Sequence, residues 1–331
     1  MKKLLTILLA TICLFALCAC NSGSNQGSNQ GSNPTGSNMG SNPTGSNLKV
    51  GVVQTTQHPA LDAATQGFVD ALKENGITDV DVQNASGESA NCSTIVGNFV
   101  ADGVDLIMAN ATPALQAASA ATDTIPVLGT SITVYDVVLG GSVPKNVSGT
   151  TDLAPLDEQA SMIKELFPNA KKVGILFCSA EANSQYQVDK ISEFLKEDGI
   201  ETVNYVFNDS NDITAVTEKA VSDKVDVIYI PTDNTAAANT QAIANVVLPA
   251  GIPVFTGEEG ACLGCGVATL TISYYDIGFK TGEMAADILL NGADISTMEI
   301  ESAPQFVKKF NKTNAEKLGI TIPEDYTAIK E

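Results

Sequence analysis

Three short apolar segments of this chain occur twice at nearly the same spacing. The matched pairs are 49–53 (KVGVV) with 172–176 (KVGIL), 104–108 (VDLIM) with 225–229 (VDVIY), and 125–129 (IPVLG) with 252–257 (IPVFTG), offset by 123, 121 and 127 positions. Stretches with helical spacing of apolar residues follow them, which is typical of βα units and a parallel sheet. The repetition predicts an α/β fold of two similar, doubly wound, Rossmann-like lobes in tandem.

The predicted helices are also duplicated. In the first copy, 60–75 places its apolar residues on one helical face and ends at Gly76, a residue suited to a C-cap. In the second copy, 183–198 has the same pattern and ends at Gly199. Each copy therefore contains both the strands and the helix of a βα unit.

Elements beyond the second copy indicate that the chain crosses between the lobes more than once. They are a strand at 267–272, a helix at 275–290 and an extended segment near 306–310. We expect crossings near 148–152, near 273 and near 302–304, which together would form a multi-strand hinge. The first lobe would then comprise 48–149 plus about 274–302, and the second 150–273 plus about 303–331.

The amino terminus predicts export. A basic start at 1–3 precedes an uncharged apolar run at 4–17, which is too short for a spanning helix of about 20 residues. The run ends in LCAC, which resembles a bacterial lipobox, so we expect a signal peptide at 1–19 and acylation, for example with palmitate, on Cys20. An ordinary cleaved signal followed by a chance cysteine is the alternative.

The segment at 20–47 predicts a tether behind the lipid. After its cysteine it consists almost entirely of Gly, Ser, Asn, Gln, Pro and Thr, so it has too little apolar surface to fold. A chain of this kind reaches about 30 Å. The expected location is the extracytoplasmic face of the cell membrane, with the folded part held at the cell surface by the lipid.

The charge of the chain excludes several kinds of partner. It has 18 basic and 38 acidic residues, which argues against nucleic acid and against adhesion to anionic lipid. Every basic residue is lysine, so no guanidinium can hold a ligand carboxylate. No phosphate-loop, serine-hydrolase or zinc motif occurs. We therefore expect no cofactor, no metal and no enzymatic activity.

Polar loops follow the predicted strands in both copies. They are 54–59 (QTTQHP), 110–113 (NATP) and 129–131 (GTS) in the first copy, and 178–184 (CSAEANS), 231–235 (PTDNT) and 257–260 (GEEG) in the second. Ligands of open parallel sheets bind beyond the carboxyl ends of the strands. Two lobes that face each other would bring all six loops into one cleft.

The loops differ in charge between the copies. Those of the first copy offer hydroxyls, amides and helix N-termini but no carboxylate, and Thr112 before Pro113 predicts an N-cap with free N–H groups. Those of the second copy contain four acids, Glu181, Asp233, Glu258 and Glu259. A zwitterion would fit this division, with its carboxylate on Thr112, Thr130 and Ser131 and its ammonium facing an acid.

Each candidate also has a structural explanation. Thr112, Ser184 and Thr235 could serve only as helix caps, and Glu181 and Asp233 could serve only the dipoles of the helices that follow them. His58, the only histidine, has no legible catalytic partner and is expected either to contact the ligand or to shape the turn before Pro59.

Cys262 and Cys265 form the one CxxC motif of the exported part. Redox pairs and half zinc sites have this spacing, but no second CxxC is present. A local disulfide, two buried thiols and a redox pair remain open as explanations. Cys92 and Cys178 are expected to be small buried residues.

Several of these motifs, in order, resemble the ABC-transporter substrate-binding lipoproteins related to tryptophan- and tyrosine-binding proteins. They are 56–62 (TQHPALD), 109–114 (ANATPA), 129–131 (GTS), 179–184 (SAEANS), 231–235 (PTDNT) and 274–282 (YYDIGFKTG), and the resemblance covers essentially 48–331. It implies a type I periplasmic-binding-protein fold and an aromatic amino-acid ligand. The cleft residues that it implies are His58, Asn110, Thr112, Thr130, Ser131, Glu181, Asn183, Ser184, Asp233, Asn234 and Glu259.

The expected function is amino-acid capture for an ABC importer by hinge closure. The ligand would be tyrosine, tryptophan or phenylalanine, with its ring against His58, Tyr135, Phe177 or Tyr205. The partners would be a permease and an ATPase, and the protein would be a monomer. Two alternatives are a surface adhesin or receptor, for which the cleft is incidental, and a secreted redox protein that uses its CxxC motif.

Overall fold

The computed structural model describes residues 48–330, so the predicted signal, Cys20 and the tether up to 47 lie outside the described residues. The strands are β1 Lys49–Gln54, β2 Asp79–Asn84, β3 Leu106–Asn110, β4 Val127–Ile132, β5 Val147–Thr151, β6 Lys172–Cys178, β7 Glu201–Phe207, β8 Val227–Ile230, β9 Val254–Thr256, β10 Ala268–Thr271, β11 Glu301–Ser302, β12 Val307–Phe310 and β13 Thr327–Ala328. Within the described residues, no helix is both long and apolar enough to cross a membrane.

Helices alternate with these strands. They are α1 Pro59–Glu74, α2 Ser89–Asp102, α3 Thr112–Ala121, α4 Tyr135–Val138, α5 Leu156–Leu166, α6 Ala182–Glu197, α7 Ile213–Ser222, α8 Asn234–Ala238, α9 Thr240–Ala250, α10 Glu259–Cys265, α11 Tyr274–Asn291 and α12 Lys312–Leu318. A short 3-10 helix, Ile295–Thr297, follows α11. The two helices predicted for the duplicated units are α1 and α6.

The strands form two separate sheets with the same central order. The first sheet runs β11-β5-β4-β3-β1-β2, and the second runs β13-β12-β10-β9-β8-β6-β7. Pairing is parallel except between β10 and β12. The order β4-β3-β1-β2 in the first sheet corresponds to β9-β8-β6-β7 in the second, which is what the repeated segments predict. The fold class is confirmed as two α/β lobes of the type I periplasmic-binding-protein kind.

A hydrogen bond of the same kind occurs at the strand starts of both lobes and explains part of the sequence repeat. The carboxylate of Asp105, just before β3, accepts a hydrogen bond from the backbone N–H of Lys49 at 2.8 Å. Asp226, just before β8, accepts from the N–H groups of Lys171 and Lys172 at 2.8 and 2.9 Å. Each aspartate thus ties the start of one central strand to its neighbour.

The chain passes between the two sheets three times. It leaves the first sheet after β5, returns between β10 and α11, and leaves again between β11 and β12. The first and second of these segments are joined where the hydroxyl of Tyr274 donates to Asp152 Oδ2 at 2.9 Å. Both of these residues are buried, so the first and second crossings meet in the interior of the protein.

Helix α11 returns to the first lobe and packs closely on α1. A Cβ on Gly278 would lie 1.9 Å from the carbonyl oxygen of Ala64, and one on Gly67 would lie 2.1 Å from that of Tyr275. A Cβ on Gly282 would lie 2.6 Å from the Cβ of Ala71. The absence of side chains at these glycines allows the two backbones to approach, which fixes the returning segment to the lobe.

This packing predicts opposite effects for two glycine substitutions. Gly278→Ala should lower the free energy of unfolding by about 1–3 kcal/mol or more, because the backbone of α1 has to shift. Gly97→Ala, in the exposed interior of α2 with nothing within 4 Å of the new Cβ, should raise it by about 1 kcal/mol. Urea unfolding of both variants measures this, and equal effects would contradict the close approach.

Candidate functional site

Residues of both lobes enclose one small cavity. It is lined by His58, Leu61 and Ser131 from the first lobe, by Asn183, Thr232, Asp233, Asn234, Ala237 and Glu258 from the second, and by Asp152 and Tyr274 from the crossing segments. Its free interior is about 10 Å³, which is about the room that one water needs. The lobes are therefore closed over the site.

Five of the predicted site residues line this cavity. They are His58, Ser131, Asn183, Asp233 and Asn234. They lie at the end of β4 and at the starts of the helices that follow β1, β6 and β8, which shows that the carboxyl ends of strands from both sheets meet at one place. The facing loops of the sequence argument are thus brought together.

His58 makes a direct hydrogen-bond contact between the lobes. It lies at the N-cap position of α1 without capping the helix through its side chain. Its Nε2 lies 3.3 Å from Oδ1 of Asn234, at the start of α8. Its Nδ1 is buried and has no partner. The imidazole therefore bridges the cleft through one nitrogen, while its other nitrogen is buried and unsatisfied.

The first lobe holds two strained backbone positions beside the cavity. Ala111 has φ 77° and Ser131 has φ 58°, in the region that residues with a Cβ rarely adopt. The hydroxyl of Ser131 is buried without a partner. Strain of this kind persists where the surrounding structure imposes it, and it is concentrated at ligand sites.

The prediction that Thr112 caps α3 was wrong. Ala111 occupies the N-cap position and no side chain caps the helix, because the positive φ of Ala111 turns the chain one residue earlier. The hydroxyl of Thr112 is buried and unpartnered, beside the cavity-lining loop rather than in the lining.

Asn110 and Thr130 are held inside the first lobe. Asn110 Nδ2 donates to the Leu61 carbonyl at 2.8 Å and to Thr65 Oγ1 at 2.9 Å, which leaves its Oδ1 without a partner. The hydroxyl of Thr130 lies 3.1 Å from that of Thr150. Neither residue lines the cavity in this closed arrangement.

Glu181, which precedes α6, accepts hydrogen bonds from the first two backbone N–H groups of α8. Its carboxylate accepts from the backbone N–H and side-chain amide of Asn234 at 2.9 and 2.7 Å, and from the N–H and hydroxyl of Thr235, both at 2.8 Å. It also accepts from Asn183 Nδ2 at 3.2 Å. These bonds satisfy its carboxylate, and it does not line the cavity.

Asp233 lines the cavity and also serves the local structure. It caps α8 by accepting from Ala236 N–H at 2.8 Å, and it accepts from Cys178 N–H at 2.7 Å and from the hydroxyl of Ser184 at 2.8 Å. Ser184 is thus a support for Asp233. Burial, together with the nearby charge of Glu181, raises the pKa of Asp233.

Two carboxylates in the lining were missing from the residues that the resemblance implied, although Glu258 was one of the four loop acids named as possible partners of an ammonium. Asp152 accepts from Tyr274 Oη at 2.9 Å and from Thr133 Oγ1 at 3.4 Å. Burial raises its pKa from 3.8 to about 6. Glu258 caps α10 by accepting from the N–H groups of Gly260 and Ala261, and burial raises its pKa as well.

Glu259, which the sequence comparison favoured over its neighbour, points elsewhere. Its carboxylate lies 2.5 Å from Lys309 Nζ on β12, and it is absent from the cavity lining. Since Glu258 occupies the N-cap of α10, its side chain turns back over the helix start and faces inward. Only one of two adjacent acids can take that position.

The other lining residues that were missed are Leu61, Thr232, Ala237 and Tyr274. Of the aromatic residues named as ring partners, only His58 lines the cavity. Tyr135 donates to the carbonyls of Gly129 and Thr150, and Phe177 and Tyr205 are buried in the cores of the second lobe. Leu61 and Tyr274 supply the apolar surface instead. Tyr274 could have been predicted from its position beside the crossing expected near 273.

The two cysteines of the CxxC motif are free, buried thiols in α10. Burial raises the pKa of both thiols, so the reactive thiolate is disfavoured at neutral pH. Cys92 and Cys178 are also buried and free, as expected. Among residues 48–330, no group of three or more His, Cys, Asp or Glu side chains is arranged to hold a metal ion.

The unpartnered polar atoms cluster at this site. In the described part of the chain, six buried side-chain atoms lack a hydrogen-bond partner: His58 Nδ1, Asn110 Oδ1, Thr112 Oγ1, Ser131 Oγ, Asn183 Oδ1 and Thr269 Oγ1. All except Thr269 belong to the predicted site, and His58, Ser131 and Asn183 line the cavity. Buried polar atoms are otherwise paired in native proteins, so the three atoms in the lining call for a partner from outside the chain, either water or a ligand.

Comparison with known proteins places the chain in a family. The profile described as ABC transporter substrate binding protein matches residues 49–329. A tyrosine-binding protein of Clostridioides difficile (strain R20291) is 34% identical over 302 residues, which covers 87% of this chain and 84% of the relative.

Two solved structures are similar to the chain to different degrees. The ABC domain from Streptococcus pneumoniae in complex with L-tryptophan has a TM-score of 0.81 at 31% identity, covering 85% of this chain and all of the other. A ligand-free, open substrate-binding protein with adhesive properties from Clostridium difficile has a TM-score of 0.65 at 34% identity, covering 86% and 99%. The lower score against the open form agrees with the closed cavity. The chain belongs to the ABC transporter substrate-binding protein family.

Proposed function

We propose that this protein captures an aromatic amino acid between its lobes and delivers it to an ABC importer. The observation that carries the proposal is the enclosed interlobe cavity, which combines unpartnered polar atoms of His58, Ser131 and Asn183 with three buried carboxylates. The tyrosine-binding relative and the tryptophan complex of the pneumococcal structure support the aromatic class.

An ammonium group is the part of such a ligand that these carboxylates suit. Asp152, Asp233 and Glu258 are all buried, and no lysine lines the cavity with them. Burying an ionised carboxylate without a partner is costly, and an opposite charge within about 4–6 Å favours the charged form. A ligand ammonium would offset that cost. Leu61, Tyr274 and the imidazole of His58 are placed to contact the ring.

Capture would proceed by closure of the lobes. A free interior of about 10 Å³ has no room for an amino acid, so the lobes must lie further apart than in this ligand-free arrangement, both while the ligand enters and when they have closed on it. Its contacts with Ser131 on one lobe and with Asn183 on the other exist together only after closure. Binding therefore shifts the open–closed equilibrium toward the closed form, in which a permease could distinguish the loaded protein from the empty one.

The location that suits this role is the extracytoplasmic face of the membrane. The basic start, apolar run and LCAC ending of the sequence support a lipid on Cys20, with 21–47 as a tether of about 30 Å. A permease and an ATPase are the expected partners, and the protein itself would have no enzymatic activity. Mass spectrometry of the native protein extracted from membranes tests the lipid on Cys20.

Adhesion is a second candidate function, carried by a different observation. The open structure from Clostridium difficile, at 34% identity, is that of a substrate-binding protein with adhesive properties. A tether of the predicted length suits a surface adhesin as well as a transporter. Loss of attachment of cells that lack this protein, restored by a variant unable to bind amino acid, would support adhesion as a role independent of the cleft.

Calorimetry with the twenty amino acids should show one-to-one binding of at least one of tyrosine, tryptophan and phenylalanine. Glu258→Gln should weaken this binding by about 1.5–3 kcal/mol, the range for a hydrogen bond to a charged group. Glu259→Gln is the matched control, because Glu259 is the adjacent residue and its carboxylate pairs with Lys309 outside the cavity. Its affinity should stay within a factor of about two.

No binding of any amino acid would contradict the proposed function. Equal losses in the two glutamine variants would contradict the placement of the ammonium. Both variants should be checked by thermal unfolding, because Glu258 also caps α10.

The raised pKa of Asp152 gives binding a defined pH dependence. The carboxylate titrates near pH 6 in the ligand-free protein, and a bound ammonium would lower that pKa. Below about pH 6 the site must then release a proton to bind, so the affinity should fall as the pH is lowered from about 7 to about 5, by at most about tenfold per pH unit. Calorimetry across this range measures the slope.

The raised pKa of Asp152 affects the stability of the ligand-free protein in the opposite direction, because this stability should fall, whereas the affinity should rise, as the pH increases. Because the pKa of Asp152 is raised on folding from 3.8 to about 6, its stabilising contribution is complete below about pH 4 and is lost as the pH rises through about 6. Asp152→Asn should reduce the slope of both pH dependences, with the remainder coming from Asp233 and Glu258, whose pKa values burial also raises. Glu324→Gln, at an exposed position, should leave both slopes unchanged. A wild-type slope in Asp152→Asn would contradict the assignment.

A further inference from the structure

Strand β4 contains one residue more than its partner β5 where the two approach the cavity. The pairing advances from 129 to 132 on β4 while it advances from 149 to 151 on β5. Thr130 and Ser131 therefore lie opposite the single residue Thr150. An extra residue of this kind is a β-bulge, which is rare between parallel strands and is found beside functional sites, where it redirects a side chain.

The bulge separates the side chains of its two residues. The hydroxyl of Thr130 lies 3.1 Å from that of Thr150, which lies 2.9 Å from that of Thr281 on α11, so Thr130 is held inside the first lobe. Ser131 instead lines the cavity, with a φ of 58° and a buried hydroxyl that has no partner. The bulge thus supplies the cavity with this hydroxyl.

Tyr135, the first residue of α4, connects the two strands at the bulge. Its hydroxyl donates to the carbonyl of Gly129 on β4 at 2.9 Å and to the carbonyl of Thr150 on β5 at 3.0 Å. These carbonyls belong to the residue before the bulge and to the residue opposite it. Burial raises the pKa of Tyr135, so the hydroxyl keeps its proton and remains a donor.

Two glycines leave the space that this hydroxyl occupies. A Cβ on Gly129 would lie 2.6 Å from Tyr135 Oη, and a Cβ on Gly149 would lie 2.5 Å from it. The paired positions on both strands are therefore shaped around the phenol. Tyr135 itself is 3% exposed and does not line the cavity, so any effect that it has on a ligand passes through the strands.

We propose that Tyr135 is a positioning residue whose hydroxyl holds the bulge in β4 and thereby keeps the hydroxyl of Ser131 at the ligand site. The inference rests on the proposed function and gives Tyr135 a role other than the ring contact expected from the sequence. Without the Tyr135 hydroxyl, the carbonyls of Gly129 and Thr150 lose a buried donor. Ser131 would then leave a backbone region that is unfavourable for a residue with a Cβ.

Calorimetry with L-tyrosine, L-tryptophan and L-phenylalanine tests this role in single and double variants. For each of these that binds the wild-type protein, Ser131→Ala should weaken binding by about three- to tenfold, which corresponds to one neutral hydrogen bond. Tyr135→Phe should weaken binding by a similar factor. In the Ser131→Ala background, Tyr135→Phe should change the affinity by less than about twofold, because the hydroxyl that it positions is already absent.

Tyr229→Phe serves as the control for loss of a buried tyrosine hydroxyl. Tyr229 is fully buried in the second lobe and donates to Gln159 Oε1 at 2.7 Å. Urea unfolding should show that both phenylalanine variants are less stable than the wild-type protein, but only Tyr135→Phe should bind the amino acid more weakly.

Gly129→Ala provides a second test if Tyr135→Phe does not fold. The atoms nearest to its new Cβ belong to the side chains of Tyr135 and Ile132, so the substitution displaces the hydroxyl without removing it. It should weaken binding in the wild-type background and not in the Ser131→Ala background.

The outcomes separate the inference from the function on which it rests. An unchanged affinity in Tyr135→Phe or in Ser131→Ala, or an equal effect of Tyr135→Phe in both backgrounds, would overturn the inference and leave the proposed function standing. If none of the three amino acids binds, the proposed function fails, and a crystal structure of ligand-free Tyr135→Phe decides the inference. Ser131 should leave the positive-φ region in that structure, and a φ that stays near 58° would overturn the inference.

Discussion

The burial of three carboxylates around one small cavity, with no lysine among them, is the feature on which the rest of this structure depends. Asp152, Asp233 and Glu258 come from a crossing segment and from two loops of the second lobe. Each is costly to ionise in the closed, ligand-free protein, which is why burial raises their pKa values. A fold retains such an arrangement when a cationic ligand offsets the cost.

The architecture supplies the means to open and close this arrangement. The two sheets have the same central strand order, and residues at the carboxyl ends of strands in both sheets line the same cavity. The crossing segments contribute Asp152 and Tyr274 to the lining itself, and these residues are hydrogen-bonded to each other. The ligand would therefore contact both lobes and the segments about which they move, which couples occupancy directly to closure.

Local patterns in the sequence predict most of the fold. The repeated apolar segments identify β1, β3 and β4 and their counterparts, because a buried strand leaves a periodic signal within a few residues. Local sequence also predicted which residues lie in the cleft, because each of them is at or just after the end of a recognisable strand. They are His58, Ser131, Asn183, Asp233 and Asn234. The choice between Glu258 and Glu259 was not visible, because it depends on which of them caps α10, and glutamate is not a favoured N-cap residue. Asp152 was missed because its partner Tyr274 is 122 positions away.

The position of the ligand nitrogen tests the central claim most directly. A crystal structure of the protein with tyrosine or tryptophan should place the α-ammonium about 3 Å from a carboxylate oxygen of Asp152 or Glu258, with Asn183 Oδ1 or His58 Nδ1 as a further acceptor. A structure in which the ligand carboxylate occupies that position, or in which the ligand lies outside the cavity between the lobes, would contradict the account.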